Sequence, residues 1–243
     1  MRIEADAAAG PSVTPSDDIM VEAVPPDDMM IVGPSSSAAG PLIILDWDDT
    51  LLPSSWLSRE GQRLDGEQVP VSVLSRLSTY ESEAITLLET VLRVAHRVII
   101  ITNAEDGWVQ RSSERYTPRL AAFLRHLHVI SARSRFESSA PGNPLHWKMN
   151  AFAEVVDEYV RFSGSTATVF SVGDSMIERD AVHLAASRHS LIIKSIKLEE
   201  KPNPEYLAEE LRVLHESIDH LLSHPHHLDL VLINPDSNPE CTA

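Results

Sequence analysis

Asp46 and Asp48 stand one residue apart, directly after the apolar run Leu42-Ile43-Ile44-Leu45. Two carboxylates at that spacing can bind a hard cation such as Mg2+, and either can act as a nucleophile or carry a proton. Related groups recur downstream. Val98-Ile99-Ile100-Ile101 ends in Thr102-Asn103. Thr168-Val169-Phe170-Ser171-Val172 ends in Gly173-Asp174-Ser175, with Glu178 one helical turn beyond. Lys148 lies in a helical pattern ahead of that last run. If these runs are parallel strands of one sheet, their carboxyl ends share an edge and the side chains converge.

The chemistry such a set suits is phosphoryl transfer, which needs positioning and charge neutralisation above all. Asp46 is the candidate nucleophile, through an aspartyl-phosphate. Asp48 is the candidate general acid and base, first for the leaving oxygen and then for the attacking water. Asp46 and Asp174 are candidate Mg2+ ligands. Thr102 and Asn103 are placed to bind a phosphate oxygen, and Lys148 to add a fixed positive charge. Plainer readings compete: Thr102 as a strand end, Lys148 as a solvated helix residue, Glu178 as a helix-surface charge.

Asp46-Trp47-Asp48-Asp49-Thr50, then Thr102, Lys148 and Gly173-Asp174 with Glu178, resemble the four ordered motifs of the haloacid dehalogenase-like phosphohydrolases. The resemblance covers roughly residues 42 to 195. It implies a Rossmann-like domain, dependence on Mg2+ and Asp46 as nucleophile. It also implies that Asp48 binds the metal through its backbone carbonyl, and that Glu178 reaches the metal through water. An Asp at position 48 resembles the phosphatase branch of that family. Two positions depart from the pattern: Asp49 stands where many members have Gly, and Glu178 where Asp is commoner. The intervals between motifs leave no room for a full cap domain, so the resemblance is to the capless type. Capless relatives tend to take macromolecules or borrow a neighbouring subunit as a lid, which makes a phosphoprotein a substrate candidate by analogy.

The elements that would position these groups follow from the pattern of the chain. Candidate strands are Leu42–Asp46, Val98–Thr102, Val129–Ser131, Thr168–Val172 and Leu191–Lys194. A helix over Ser82 to Ala95 carries Ile85, Leu88 and Leu92 at helical spacing. Thr117-Pro118, Asn143-Pro144 and Asn203-Pro204 each read as an N-cap followed by proline at the first helical position, the first opening a helix through Leu127. Alternation of strands and helices predicts an α/β fold: a Rossmann-like three-layer α/β/α sandwich with a mainly parallel sheet of about five strands. Residues 1–40 read as a disordered acidic leader, with Met29-Met30-Ile31-Val32 a candidate docking patch for a protein partner. Residues 41–223 read as the catalytic domain and 224–243 as a flexible tail, in which Leu230-Val231-Leu232-Ile233 has strand character.

Bulk composition narrows the partners. A formal net charge of -16 over 243 residues argues against nucleic acid and membrane surfaces. The expected partner is a phosphorylated substrate of unspecified size. The one cysteine, Cys241, rules out an internal disulfide, and the start lacks a secretory layout, so the expected location is cytoplasmic, with nuclear as the second choice. The tryptophans Trp47, Trp56, Trp108 and Trp147 flank the proposed site; Trp47 and Trp147 read as core packing, and Trp56 and Trp108, in loops after strand ends, as packing or, alternatively, as a rim that stacks on a leaving group. Arg111, Arg115, Arg119, Arg125, Arg133 and Arg135 read as a solvated helix face or, more sharply, as an anion-steering patch. His224, His226 and His227 read as tail rather than metal ligands. The sequence supports a Mg2+-dependent phosphatase, with a phosphotransferase of the same fold or a non-catalytic phosphate-sensing module as alternatives.

Overall fold

The computed structural model of the chain describes residues 2–5, 40–163 and 167–233. Most of the expected leader, including its Met29–Val32 patch, and the end of the tail lie outside the described residues.

The apolar runs become strands of one sheet. β1 (Arg2–Ala5) is followed by β2 (Leu42–Leu45), β3 (Arg97–Thr102), β4 (His128–Ser131), β5 (Thr168–Gly173), β6 (Ile192–Lys197) and β7 (Leu228–Ile233), in the spatial order β1-β7-β6-β5-β2-β3-β4. β2 stands between β3 and β5 and is parallel to both. β4, β6 and β7 extend the sheet in parallel, and β1 closes it with an antiparallel pairing to β7. Leu42 and Ile44 point to one face of β2 and Ile43 and Leu45 to the other, and all four are inaccessible to solvent. A strand buried on both faces has to read as a continuous apolar run, which is why β2 is so plain in the sequence.

Helices cover both faces. α1 (Ser54–Arg59), α2 (Val71–Val94), α3 (Trp108–Tyr116), α4 (Pro118–Leu124) and α8 (Pro204–Ser223) share one core with Ile43 and Leu45. α5 (Ala132–Phe136), α6 (Pro144–Ser163) and α7 (Met176–Ala186) share the other with Leu42 and Ile44. This is the three-layer α/β/α sandwich expected. Each element between β2 and β5 contributes to one of the two cores, so the described residues in those intervals form no separate cap. Among the described residues, no helix is long and apolar enough to cross a membrane.

Several boundaries differ from the sequence reading. α2 starts at Val71 rather than Ser82, and its buried stripe runs through Leu77, Tyr80, Ala84, Leu87, Leu88 and Val91, while Leu92 is exposed. The mainly parallel sheet is as expected, with six parallel strands, and β7 lies inside the expected flexible tail. The histidine segment before β7 is anchored too. The buried Lys194 ammonium on β6 donates to the carbonyls of His224 and His226, and His227 Nδ1 accepts from the Ile193 N–H at 3.0 Å. Arg2–Ala5, expected in the leader, forms β1.

The helix starts at Asn143 and Asn203 behave as read: their side chains accept the N–H of His146 and of Tyr206, at 3.1 and 2.8 Å. The start of α4 does not. Thr117 turns its hydroxyl to the Ser113 carbonyl, and Glu81 of α2 supplies the cap instead, accepting the N–H groups of Arg119 (2.8 Å) and Leu120 (3.1 Å). The α4 N–H groups need an acceptor, and a buried carboxylate meets two of them at once. Glu81→Ala should therefore lower stability by about 1–2 kcal/mol in chemical denaturation, with Glu81→Gln losing less. An unchanged midpoint in Glu81→Ala would show that the cap contributes nothing.

Candidate active site

The site begins where the β2 ladder runs one residue further. The Asp46 N–H donates to the Val172 carbonyl at 2.9 Å, which fixes Asp46 at the carboxyl edge between β3 and β5. The chain then turns sharply. The Trp47 carbonyl accepts from the N–H groups of Leu51 and Leu52, and the Asp49 N–H reaches the Leu52 carbonyl at 2.7 Å. Asp49 sits at φ 53°, in the left-handed region where glycine is the easy choice. Asp tolerates that region better than most residues, and here it has local work. Its Oδ1 accepts the Ser55 N–H at 2.8 Å at the start of α1. The Trp47 indole, fully buried, donates to Ser112 Oγ at 3.0 Å and ties the turn to α3.

Three carboxylates and one ammonium group meet beside this turn. Lys148 of α6 is 1 % exposed, and its Nζ lies 2.7 Å from Asp46 Oδ1 and 2.6 Å from Glu178 Oε1. Glu178 is buried as well and closes a capping box at the start of α7. Its Oε2 accepts the Ser175 hydroxyl at 2.5 Å and the Ser175 N–H at 3.1 Å. The plainer readings of Lys148 and Glu178 as solvated surface charges therefore fail. Gly173 makes room for this arrangement: a Cβ there would lie 2.3 Å from Glu178 Cγ. One carboxylate oxygen each from Asp46, Asp174 and Glu178 lie within 4.8 Å of one another.

Burial and charge set the protonation of this group. Burial pushes the Asp46 carboxyl well above its usual range, against the pull of Lys148. Burial, with the negative charges of Glu178 and Asp49, pushes Asp174 up to about 7. Burial also opposes ionisation of Glu178, but the adjacent Lys148 outweighs it and holds that carboxyl below its usual value. For Lys148 burial disfavours the charge, and the carboxylates of Asp46 and Glu178 overcome it, so the ammonium persists. One cation faces three carboxylates, which leaves the site short of positive charge. An all-oxygen donor set of this kind fits a hard divalent cation such as Mg2+.

Asp48 has a different environment from Asp46. Its Oδ1 accepts the Trp108 indole N–H at 2.9 Å and its Oδ2 the Thr102 hydroxyl at 3.2 Å. Burial raises its pKa, and these hydrogen bonds moderate the rise. Thr102 Oγ1 also accepts the Ala104 N–H at 2.9 Å. The sequence pattern assigns Thr102 and Asn103 to a phosphate oxygen. In the structure the Thr102 proton goes to Asp48, and the Asn103 amide donates to the Pro144 carbonyl at 3.2 Å.

Trp108 is the residue that sequence reasoning undervalued. It opens α3 and holds Asp48 from 60 positions away. The one available signal was general: a partly buried indole N–H seeks an acceptor. The other tryptophans serve packing, with Trp56 lying under the Arg76 guanidinium at 4.6 Å and Trp147 donating to the Ala140 carbonyl at 2.7 Å. Of the arginines, Arg111 and Arg115 line a common cleft, and Arg111 donates to the Gly107 carbonyl at 3.2 Å. Arg115 binds the Gly66 and Glu67 carbonyls, Arg119 lies against Glu81, Arg133 pairs with Glu137 and Arg135 with Glu154. No protein-family model, curated protein or solved structure matches this chain.

Asp174 gives a signed pH test. Its folded pKa is raised, so the stability linked to it is complete below its ordinary 3.8 and is lost as pH rises through about 7. In chelator, Asp174→Asn should melt above the parent protein at about pH 8, and the difference should vanish near pH 4. Added Mg2+ at the higher pH should stabilise the parent and leave the variant nearly unmoved. A parent–variant difference independent of pH would contradict the assignment.

Proposed function

We propose that this chain is a Mg2+-dependent phosphatase, a phosphoric monoester hydrolase that works through a phosphorylated Asp46. The supporting observation is the meeting of Asp46, Asp174 and Glu178 around the buried Lys148 ammonium, with Asp48 held separately beside them. The motif resemblance to the capless haloacid dehalogenase-like phosphohydrolases points the same way.

Asp46, Asp174 and Glu178 would hold the Mg2+, with Asp48 contributing through its backbone as the resemblance implies. The ion supplies charge neutralisation for the phosphoryl oxygens. Asp46 attacks phosphorus with a carboxylate oxygen, and the bond from phosphorus to the leaving oxygen breaks. Asp48 gives its proton to that oxygen, so the product leaves as an alcohol. Asp48 then takes a proton from water as the water oxygen attacks the phosphorus of the aspartyl-phosphate. The phosphorus–Asp46 bond breaks, releasing inorganic phosphate and the original carboxylate. Lys148 orients Asp46 by its contact of 2.7 Å and favours its ionised form, against the burial that raises its pKa. Trp108 and Thr102 hold both oxygens of Asp48, so the acid arrives in one orientation. A cytoplasmic or nuclear location belongs to the same reading and rests on the single cysteine, Cys241.

Turnover of p-nitrophenyl phosphate should require Mg2+ and should fall by about a thousandfold or more in Asp46→Asn. Protein that binds Mg2+ but turns over no member of a broad phosphate panel would overturn the proposal. Lys148→Met should abolish turnover too and lower stability by about 3–5 kcal/mol, because it leaves buried carboxylates without their counter-ion. Wild-type stability in that variant would show that Lys148 does not hold the cluster together.

A further inference from the structure

Against Trp108, whose indole holds Asp48, the structure has a cleft of 370 Å3 between α1, the loop after it and α3. Its apolar walls are Leu57, Leu64, Trp108 and Tyr116. Two lining residues touch the turn that carries the carboxylates. The Trp108 indole N–H donates to Asp48 Oδ1 at 2.9 Å, and Ser54 Oγ lies 3.5 Å from Asp49 Oδ1. None of the lining residues comes from β5, α6 or α7, the elements that bring Asp174, Lys148 and Glu178. The cleft therefore lies on the Asp48 side of the cluster.

That position has a chemical meaning. In an in-line displacement the nucleophile and the leaving oxygen lie on opposite sides of phosphorus. The general acid must touch the leaving oxygen, so the body of the leaving group extends past Asp48. Among the described residues, the ions on the cleft wall are Arg63 and Asp65, and they are paired with each other at 3.0 Å. The cleft thus asks for no charge on its occupant. Its volume falls in the range of small-molecule pockets, and its aromatic walls favour a flat apolar ring.

We propose that this cleft is the leaving-group subsite and that the substrate class is the phosphorylated phenol, an aryl phosphomonoester whose ring packs against Trp108 between Leu57 and Leu64. This rests on the phosphatase reading above. Such a ring can belong to a free phenol or to a tyrosyl side chain. A second cleft of 650 Å3, sharing Leu64 and Asp65, would take the chain flanking a tyrosine.

The test compares kcat/KM for phenyl phosphate and 2-naphthyl phosphate, whose leaving groups are nearly equal in acidity, so that a difference reports binding. With Mg2+ the wild-type protein should favour the naphthyl ester by about tenfold. Ser58→Trp, from an exposed position on α1 that lines the cleft, should remove the preference by raising KM for the larger ester, and Leu64→Gln should weaken it. Thermal melts establish that both variants are folded. Phosphotyrosyl peptide turned over better than 2-naphthyl phosphate would support the class and assign the tyrosyl source; the reverse would support it with a free phenol as the source. Equal turnover of phenyl and naphthyl esters, or a preference that survives Ser58→Trp, would overturn the subsite while leaving the phosphatase reading in place. A wild-type protein inert toward every phosphate would overturn both.

Discussion

A single buried ammonium group holds carboxylates where their own repulsion would drive them apart. Lys148 lies within 2.7 Å of Asp46 and 2.6 Å of Glu178, and solvent reaches almost none of it. In so dry a setting the attraction between opposite charges is strong, and so is the penalty for any charge left alone. The contact also joins three separate elements: the end of β2, the start of α7 and the body of α6. The sheet order makes this joining possible. With β2 between β3 and β5, the ends of all three strands face one edge. Lys148 reaches that edge from the helix that leads into β5.

Asp46 and Asp48 share a residue type and a tripeptide, yet the structure gives them different surroundings. Asp46 meets a full positive charge and two further carboxylates. Asp48 meets two neutral donors, the Trp108 indole and the Thr102 hydroxyl. The turn explains the separation: residues i and i+2 of an extended strand share a face, but β2 ends at Leu45 and the chain turns after Trp47. The turn itself depends on Asp49, whose left-handed backbone lets the Trp47 carbonyl accept from Leu51 and Leu52. In the proposed mechanism these two settings separate the nucleophile from the acid.

What could be read from the sequence depended on how local the signal was. Runs such as Leu42–Leu45 are buried on both faces, so composition alone reveals them, and the polar residues that follow mark the strand ends. The N-caps at Asn143 and Asn203 were legible because cap and proline are adjacent. Contacts made across the chain were not. Glu81 caps a helix 38 residues away, Lys194 anchors the segment before β7, and Trp108 holds Asp48. None of these has a pattern in its own neighbourhood. The early start of α2 was missed for a related reason: its first turns bury only Val73 and Leu77, and Val71 and Leu74 stay accessible. The clefts beside α3 were out of reach altogether, since loop conformation decides them.

The most direct measurement is mass spectrometry of the protein quenched in acid during turnover with Mg2+ and an aryl phosphate. One phosphoryl group is expected, carried by Asp46 and discharged when substrate runs out. Steady turnover with the label on another residue, or with no covalent phosphoprotein under rapid quenching, would contradict it.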